Sequence, residues 1–362
     1  MKEKTMKEIK GLTGLRGYAA LWVFFLHATW GWPVDSYAMN VARLGGSGLT
    51  IFFVLSGFIL SYVYADLFKE GRVTYTSFMR ARIARVYPLH IFTLLLFAGL
   101  ANGGYAELGE NDTFYTFLLN VGLVQSWGFT QLVSWNQPAW SISTEMFAYL
   151  LFPVITVWVS RANGAVLAAL LAFLFYCLLQ SPYAMLVAEL QKYGILDVGG
   201  KQFAHGSSLV QLFYVFCLRV VLYSIAVKAK PALRGASDLM TLAGCLLLIY
   251  WCGTETVDLA LWQSSLCASL IIIPLYYETK LSAALFGNPV AHYLGKISYA
   301  LYLTALMSES VAKRFMYPVP LIVNLALSLI VAALLHHLIE VPVRRWIVQK
   351  SKSKDAATIT PA

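Results

Sequence analysis

Arg16 and His27 stand eleven residues apart in the stretch 12–30, "LTGLRGYAALWVFFLHATW". On a helix, eleven residues advance about 1100°, roughly 20° more than three full turns, and rise about 16 Å. The two side chains therefore share one face, a guanidinium at one end and an imidazole near the other. A guanidinium suits a phosphate, which it can grip through two parallel hydrogen bonds. An imidazole titrates near neutral pH, so it can take a proton from an attacking hydroxyl or accept an acyl group itself. Such groups inside an otherwise apolar span point to function by default. The plainer alternative has Arg16 snorkelling to lipid headgroups and His27 hydrogen-bonded within a bundle.

Other residues extend this chemistry. Glu145 follows Ser141 by four positions, which puts both on one helical face. The reading sets Glu145 about two turns into its span, close to the depth of His27. A carboxylate there would orient the imidazole and stabilise its charged form; the alternative pairs it with Arg43 or Arg219. Arg80, Arg82 and Arg85 form a second basic group that, with Arg16, suits a phosphate-bearing cofactor. Gly295, Lys296, Ser298 and Tyr299 are candidates to line the path of that cofactor, although Lys296 serves equally as a topology residue. His90, His205, His292, His336 and His337 are read as packing or headgroup contacts. Glu340 and Arg344 are four apart, but Pro342 between them points to a helix end, so a structural staple at the inner surface and a catalytic role both stay open. The five cysteines lie in or beside apolar spans without metal-ligand spacing and read as small buried side chains, so no metal site is expected.

The elements that must position these groups are membrane helices. The chain has 362 residues, 59% hydrophobic and 12% charged, with a mean hydropathy of +0.66. A soluble domain carries about 25% charged residues, so the surplus apolar surface must face lipid. The net charge of +9 is spread over the ends of apolar segments rather than gathered in one patch, which argues against nucleic acid as a partner. Spans of roughly 20 apolar residues are expected at 14–32, 47–66, 84–101, 139–159, 164–180, 208–227, 237–253, 258–276, 290–311 and 319–339. The first is read as a retained helix, not a cleaved leader, and 113–125 as a short surface or re-entrant helix. Twenty-one of the 27 Lys and Arg residues fall on one side of this arrangement and five on the other, with Arg219 inside a span. That asymmetry predicts cytoplasmic termini and an outer loop at 102–138. One transmembrane domain is expected over 1–348, followed by a polar, disordered cytoplasmic tail at 349–362. Tyr105, Trp127 and Trp135 of the outer loop suit sugar stacking and a bilayer interface alike.

Six segments together resemble the acyltransferase-3 family of integral membrane acyltransferases: "LRGYAALWVFFLHA" (15–28), "GGSGLTIFFVLSGFILSY" (45–62), "RARIARVYPLH" (80–90), "WNQPAWSISTEMFAYLLFP" (135–153), "LGKISYALYL" (294–303) and "EVPVRRW" (340–346). They occur in the family's order and span nearly the whole chain. One departure stands out. After "YALYL" the family often has His and then Pro, whereas this chain reads "TALM", with Ala305 at the His position. The resemblance implies an all-α polytopic protein of the bacterial inner membrane. The implied activity moves an acyl group, usually acetyl, from cytoplasmic acetyl-CoA to a hydroxyl of a glycan, glycolipid or other acceptor. Acetyl-CoA would be a co-substrate, not a resident cofactor, and membrane lipid the surrounding partner. Catalytic candidates are then His27, Glu145 and Ser141; donor-binding candidates are Arg16, Arg80, Arg82, Arg85 and Lys296. The rival class is a transporter without covalent chemistry, which often shows paired repeats with broken helices; none is apparent here. Succinyl-CoA as donor and a small-molecule acceptor stay open.

Overall fold

The computed structural model describes residues 8–130, 133–163, 205–254 and 261–358, with short stretches between 166 and 174. All regular structure among them is helical, and no strand occurs among the described residues. In chain order the helices are α1 (Lys10–Ala28), α2 (Tyr37–Arg43), α3 (Gly46–Lys69), α4 (Tyr75–Asn102), α5 (Phe114–Val121), α6 (Ala139–Arg161), α7 (His205–Lys228), α8 (Lys230–Gly235), α9 (Ser237–Thr254), α10 (Leu261–Tyr276), α11 (Lys280–Phe286), α12 (Pro289–Phe315), α13 (Leu321–Leu335) and α14 (Val341–Thr358). A π-helical turn, His336–Glu340, links the last two.

Nine of the ten expected spans coincide with helices, and the tenth, 164–180, lies mostly outside the described residues. Among the described residues five helices are long and apolar enough to cross a membrane: α3, α4, α6, α9 and the run Leu321–Lys350. The chain is thus an all-α membrane protein. Helix α12 is long enough but turns buried Ser298, Thr304 and Ser308 inwards, which lowers its hydropathy.

Two boundaries differ from expectation for identifiable reasons. Helix α4 begins at Tyr75, not at 84, because Thr74 and Ser77 cap its first turn reciprocally. Arg80, Arg82 and Arg85 therefore sit on the helix, with a fixed spacing, rather than in a loop before it. Pro342 does not end the chain's last long helix. It falls at the second residue of α14, where a missing backbone N–H costs little.

Small residues set the register around α1. Gly48 of α3 packs on the Ala19 carbonyl and Gly45 on the Trp22 carbonyl, so α3 runs antiparallel to α1. Gly14 lies beside Ala291 and Gly17 beside Leu294 and Gly295, so α12 runs parallel to it. A Cβ on Gly295 would collide with the Thr13 carbonyl, which is how closely these two helices approach. Next to this seam an aromatic cluster locks α3, α4, α6 and α7. Phe78 stacks on Phe152 at 5.3 Å, Phe152 meets Phe216 edge-on at 6.0 Å, and Phe58 meets Tyr223 at 5.5 Å. Offset and edge-on pairs of this kind contribute about 0.5–1.5 kcal/mol each beyond buried area.

Candidate active site

Helices α1, α3, α4, α6 and α12 enclose a cavity of about 120 Å³. Of the residues singled out from sequence, Arg16, Arg82, Arg85, Ser141 and Glu145 line it, together with Ser298 and Tyr299. Arg80 is exposed and lies off this wall. Lys296 is also exposed, interacting electrostatically with Glu8 near the start of α1.

The arginines are held in different ways. Arg82 donates to the Tyr64 hydroxyl at 3.2 Å and sits over the Tyr64 and Phe78 rings. Arg85 donates to Glu340, whose other oxygen lies 2.8 Å from His336 Nδ1. The π turn presents Glu340 to Arg85, and the carboxylate is almost wholly buried there. Arg16 interacts at longer range with Glu145 and Glu340. One wall thus carries three guanidinium groups with a single carboxylate bonded to one of them, a charge balance suited to a polyanion.

The rest of the lining is rich in hydroxyls around Glu145. Ser141 Oγ and Tyr302 Oη are 2.9 Å apart, and Tyr299 donates to the Val86 carbonyl at 2.7 Å. Ser56 donates to Glu145, and Tyr149 is within hydrogen-bonding reach of both. Ser56, Tyr149 and Tyr302 were not singled out as functional from sequence. Ser56 has the small side chain expected where helices pack closely, and the tyrosines carry no local signal beyond helical spacing from Ser141, Glu145 and Tyr299.

His27 lies outside this cavity lining, in the last turn of α1. Its Nδ1 is 2.8 Å from the Val23 carbonyl. A carbonyl only accepts, so Nδ1 carries the proton and Nε2 presents its lone pair. The sequence reading put Glu145 at the depth of His27. In the structure Glu145 is tied to Ser56, eight residues beyond Gly48 on α3, or about 12 Å further towards the Arg16 end. The parallel register of α1 and α12, carried ten residues past Gly17 and Leu294, sets His27 level with Thr304 and Ala305.

The remaining candidates take structural positions. His90 is fully buried, with Nε2 2.8 Å from the Asn120 carbonyl. His292 pairs with Glu8 at 2.9 Å, and His337 stacks on Tyr293. Trp127 donates to the Ser143 carbonyl and Trp135 packs edge-on against Phe117, so both indoles are engaged within the fold. The four described cysteines are free.

The structure is thus a helical membrane bundle with a cavity lined by three arginines, a glutamate and several hydroxyls. The acyltransferase domain family, acyltransferase-3, matches residues 9–337, and this chain belongs to that family. It is 35% identical over 155 residues to acyltransferase MdmB of Streptomyces mycarofaciens, covering 40% of this chain and 38% of that protein. It is 23% identical over 371 aligned positions to SACOL0978 of Staphylococcus aureus (strain COL), provisionally named an O-acetyltransferase, covering 95% of this chain and 58% of the relative. Protein 2 in the picA locus of Rhizobium radiobacter is 38% identical over 87 residues, covering 24% of this chain and 42% of that protein. The chain thus spans less than two thirds of the length of each of these relatives. No solved structure matches the chain.

Proposed function

We propose that this chain is a membrane O-acyltransferase that moves an acetyl group from cytoplasmic acetyl-CoA to a hydroxyl of a glycan or glycolipid, in a bacterial inner membrane. The observation that carries the reading is the cavity itself, with Arg16, Arg82 and Arg85 beside Ser141, Glu145 and Tyr302. The arginines receive the phosphates of the donor, and the thioester lies towards the outer part of α1. His27 Nε2 takes the proton of the attacking hydroxyl or accepts the acyl group before passing it on. The name of the Streptomyces relative supports acyl transfer, and that of the Staphylococcus relative supports transfer of acetyl to oxygen. In this reading 1–348 forms one catalytic domain and both termini are cytoplasmic.

Two variants of α1 test the assignment by separating chemistry from binding. His27→Ala should abolish transfer of radiolabel from acetyl-CoA into membranes, while coenzyme A still binds the purified protein. Arg16→Ala should weaken coenzyme A binding by about 10- to 150-fold, corresponding to a charged hydrogen bond of about 1.5–3 kcal/mol. Arg16→Lys should restore only part of that, because an ammonium lacks the planar fork. Normal turnover by a well-folded His27→Ala protein would overturn the catalytic assignment.

A further inference from the structure

Arg219 lies near the middle of α7 and is completely buried. None of its guanidinium nitrogens has a hydrogen-bond partner. Instead the group sits over the rings of Phe53 at 5.4 Å and Phe216 at 5.9 Å. An unpaired cation at membrane depth is costly, and such residues are kept where a partner or a task answers the charge. Two cation–π contacts offset a part of that cost.

The fold makes room for this side chain deliberately. A Cβ on Gly57 would stand 2.8 Å from Arg219 Cδ and 3.0 Å from its Cβ, so glycine is what lets the stem lie against α3. The residue before it, Ser56, is the donor to Glu145. Adjacent residues of α3 thus hold the Arg219 stem and the Glu145 carboxylate, and Glu145 is the carboxylate that interacts electrostatically with Arg219. Glu145 consequently lies between two cations of different standing. Arg16 lines the cavity and is available to an incoming phosphate. Arg219 does not line the cavity, and Phe53, which does, covers it.

We propose that Arg219 is the fixed counter-charge of Glu145, a positioning residue that holds the carboxylate in place when the donor's phosphates engage Arg16. This rests on the reading of Arg16 as a donor contact given above and on Glu145, a carboxylate of the same cavity, taking part in turnover. Arg219 touches neither donor nor acceptor; it acts through Glu145. A cation that made strong hydrogen bonds elsewhere would have its field compensated locally. An orphaned guanidinium, screened only by aromatic rings, directs its field at the nearest anion.

The test compares kcat and KM for radiolabel transfer from acetyl-CoA into membranes of the expressing cell, with coenzyme A binding measured by calorimetry in nanodiscs. Arg219→Met should lower kcat roughly tenfold, within the range of coupled neighbours. KM for acetyl-CoA and coenzyme A affinity should stay within about twofold of wild type, since the side chain is sealed from the donor. Arg219→Lys should recover most of the rate. In a Glu145→Gln background Arg219→Met should add no further loss. Should Arg219→Met fail to fold, Gly57→Ala, which keeps the charge but displaces its stem, should lower kcat in the same selective way. A folded Arg219→Met protein with wild-type kcat overturns the proposal, as does an equal loss in the Glu145→Gln background or a loss confined to KM. Full activity of Glu145→Gln alone overturns both this inference and the catalytic role of Glu145, whereas an inactive Glu145→Gln with a neutral Arg219→Met overturns only the inference.

Discussion

The Ser56 hydroxyl donates to the Glu145 carboxylate, and that one bond joins the middle of α3 to α6 on the wall that also carries Arg16. It fixes a carboxylate among the arginines and hydroxyls that line the cavity. Removing the serine hydroxyl leaves the carboxylate in place but loosens it. Ser56→Ala should therefore reduce kcat by about 10- to 150-fold, the worth of a hydrogen bond to a charged group. Glu145→Gln should reduce it further, and Ser56→Ala should then cost little in that background because the two act as a unit. Steady-state kinetics on the four proteins checks this; fully additive losses would show that the bond plays no part in turnover.

Much of this site was legible in the sequence, and the rest was not for a definite reason. The pairing of Arg16 and His27 on one face follows from helical periodicity within one uninterrupted helix, and α1 has it. The position of Glu145 depends instead on the register between helices. That register is set where Gly45 and Gly48 meet the Trp22 and Ala19 carbonyls, contacts between distant segments that no local pattern announces. Arg219 reads from sequence as an arginine within a span and as one of two alternative partners for Glu145; its burial is not legible there, because it comes from Gly57, Phe53 and Phe216 on two helices. Glu340 reads from sequence as a partner of Arg344 beside a helix-ending Pro342; instead the π turn before the proline delivers Glu340 to Arg85, and the helical run continues through the proline.

The seam between α1 and α12 should be intolerant of side chains at Gly295. A Cβ there would strike the Thr13 backbone carbonyl, which cannot rotate away as a flexible side chain can. Gly295→Val should destabilise the protein by about 1–3 kcal/mol or more through overpacking. Gly99 of α4 supplies the control, because a Cβ there meets nothing within 4 Å. Gly99→Ala should be neutral or stabilising by about 0.5–1 kcal/mol, from helix propensity. Thermal unfolding in detergent compares them, and a Gly295→Val protein as stable as Gly99→Ala would mean that the two helices do not pack as closely as this.

The last expectation concerns the two faces of the membrane. The sequence predicts the bulk of the basic residues, including the arginines of α4, on one side of the membrane, and His27 lies about 16 Å from Arg16 along α1. A donor gripped at the arginines would need its thioester to extend along α1 to reach the imidazole. A soluble cytoplasmic enzyme has no use for that separation, and a transporter has no reason to cleave a thioester. Orientation comes first: on a cysteine-free background Asn111→Cys should react with an impermeant thiol reagent from outside and Tyr75→Cys should not. In sealed vesicles of that orientation, acetyl-CoA should support transfer only from the cytoplasmic side. An acceptor confined to the opposite side should still become acetylated, and Glu145→Gln should slow the transfer without changing its sidedness. Acetylation that occurs only when both substrates share the cytoplasmic compartment would leave acyl transfer intact and remove the transmembrane route. The depth of His27 would then serve packing through its bond to Val23, and the base would have to be sought on the cavity wall, where Glu145 is the carboxylate at hand.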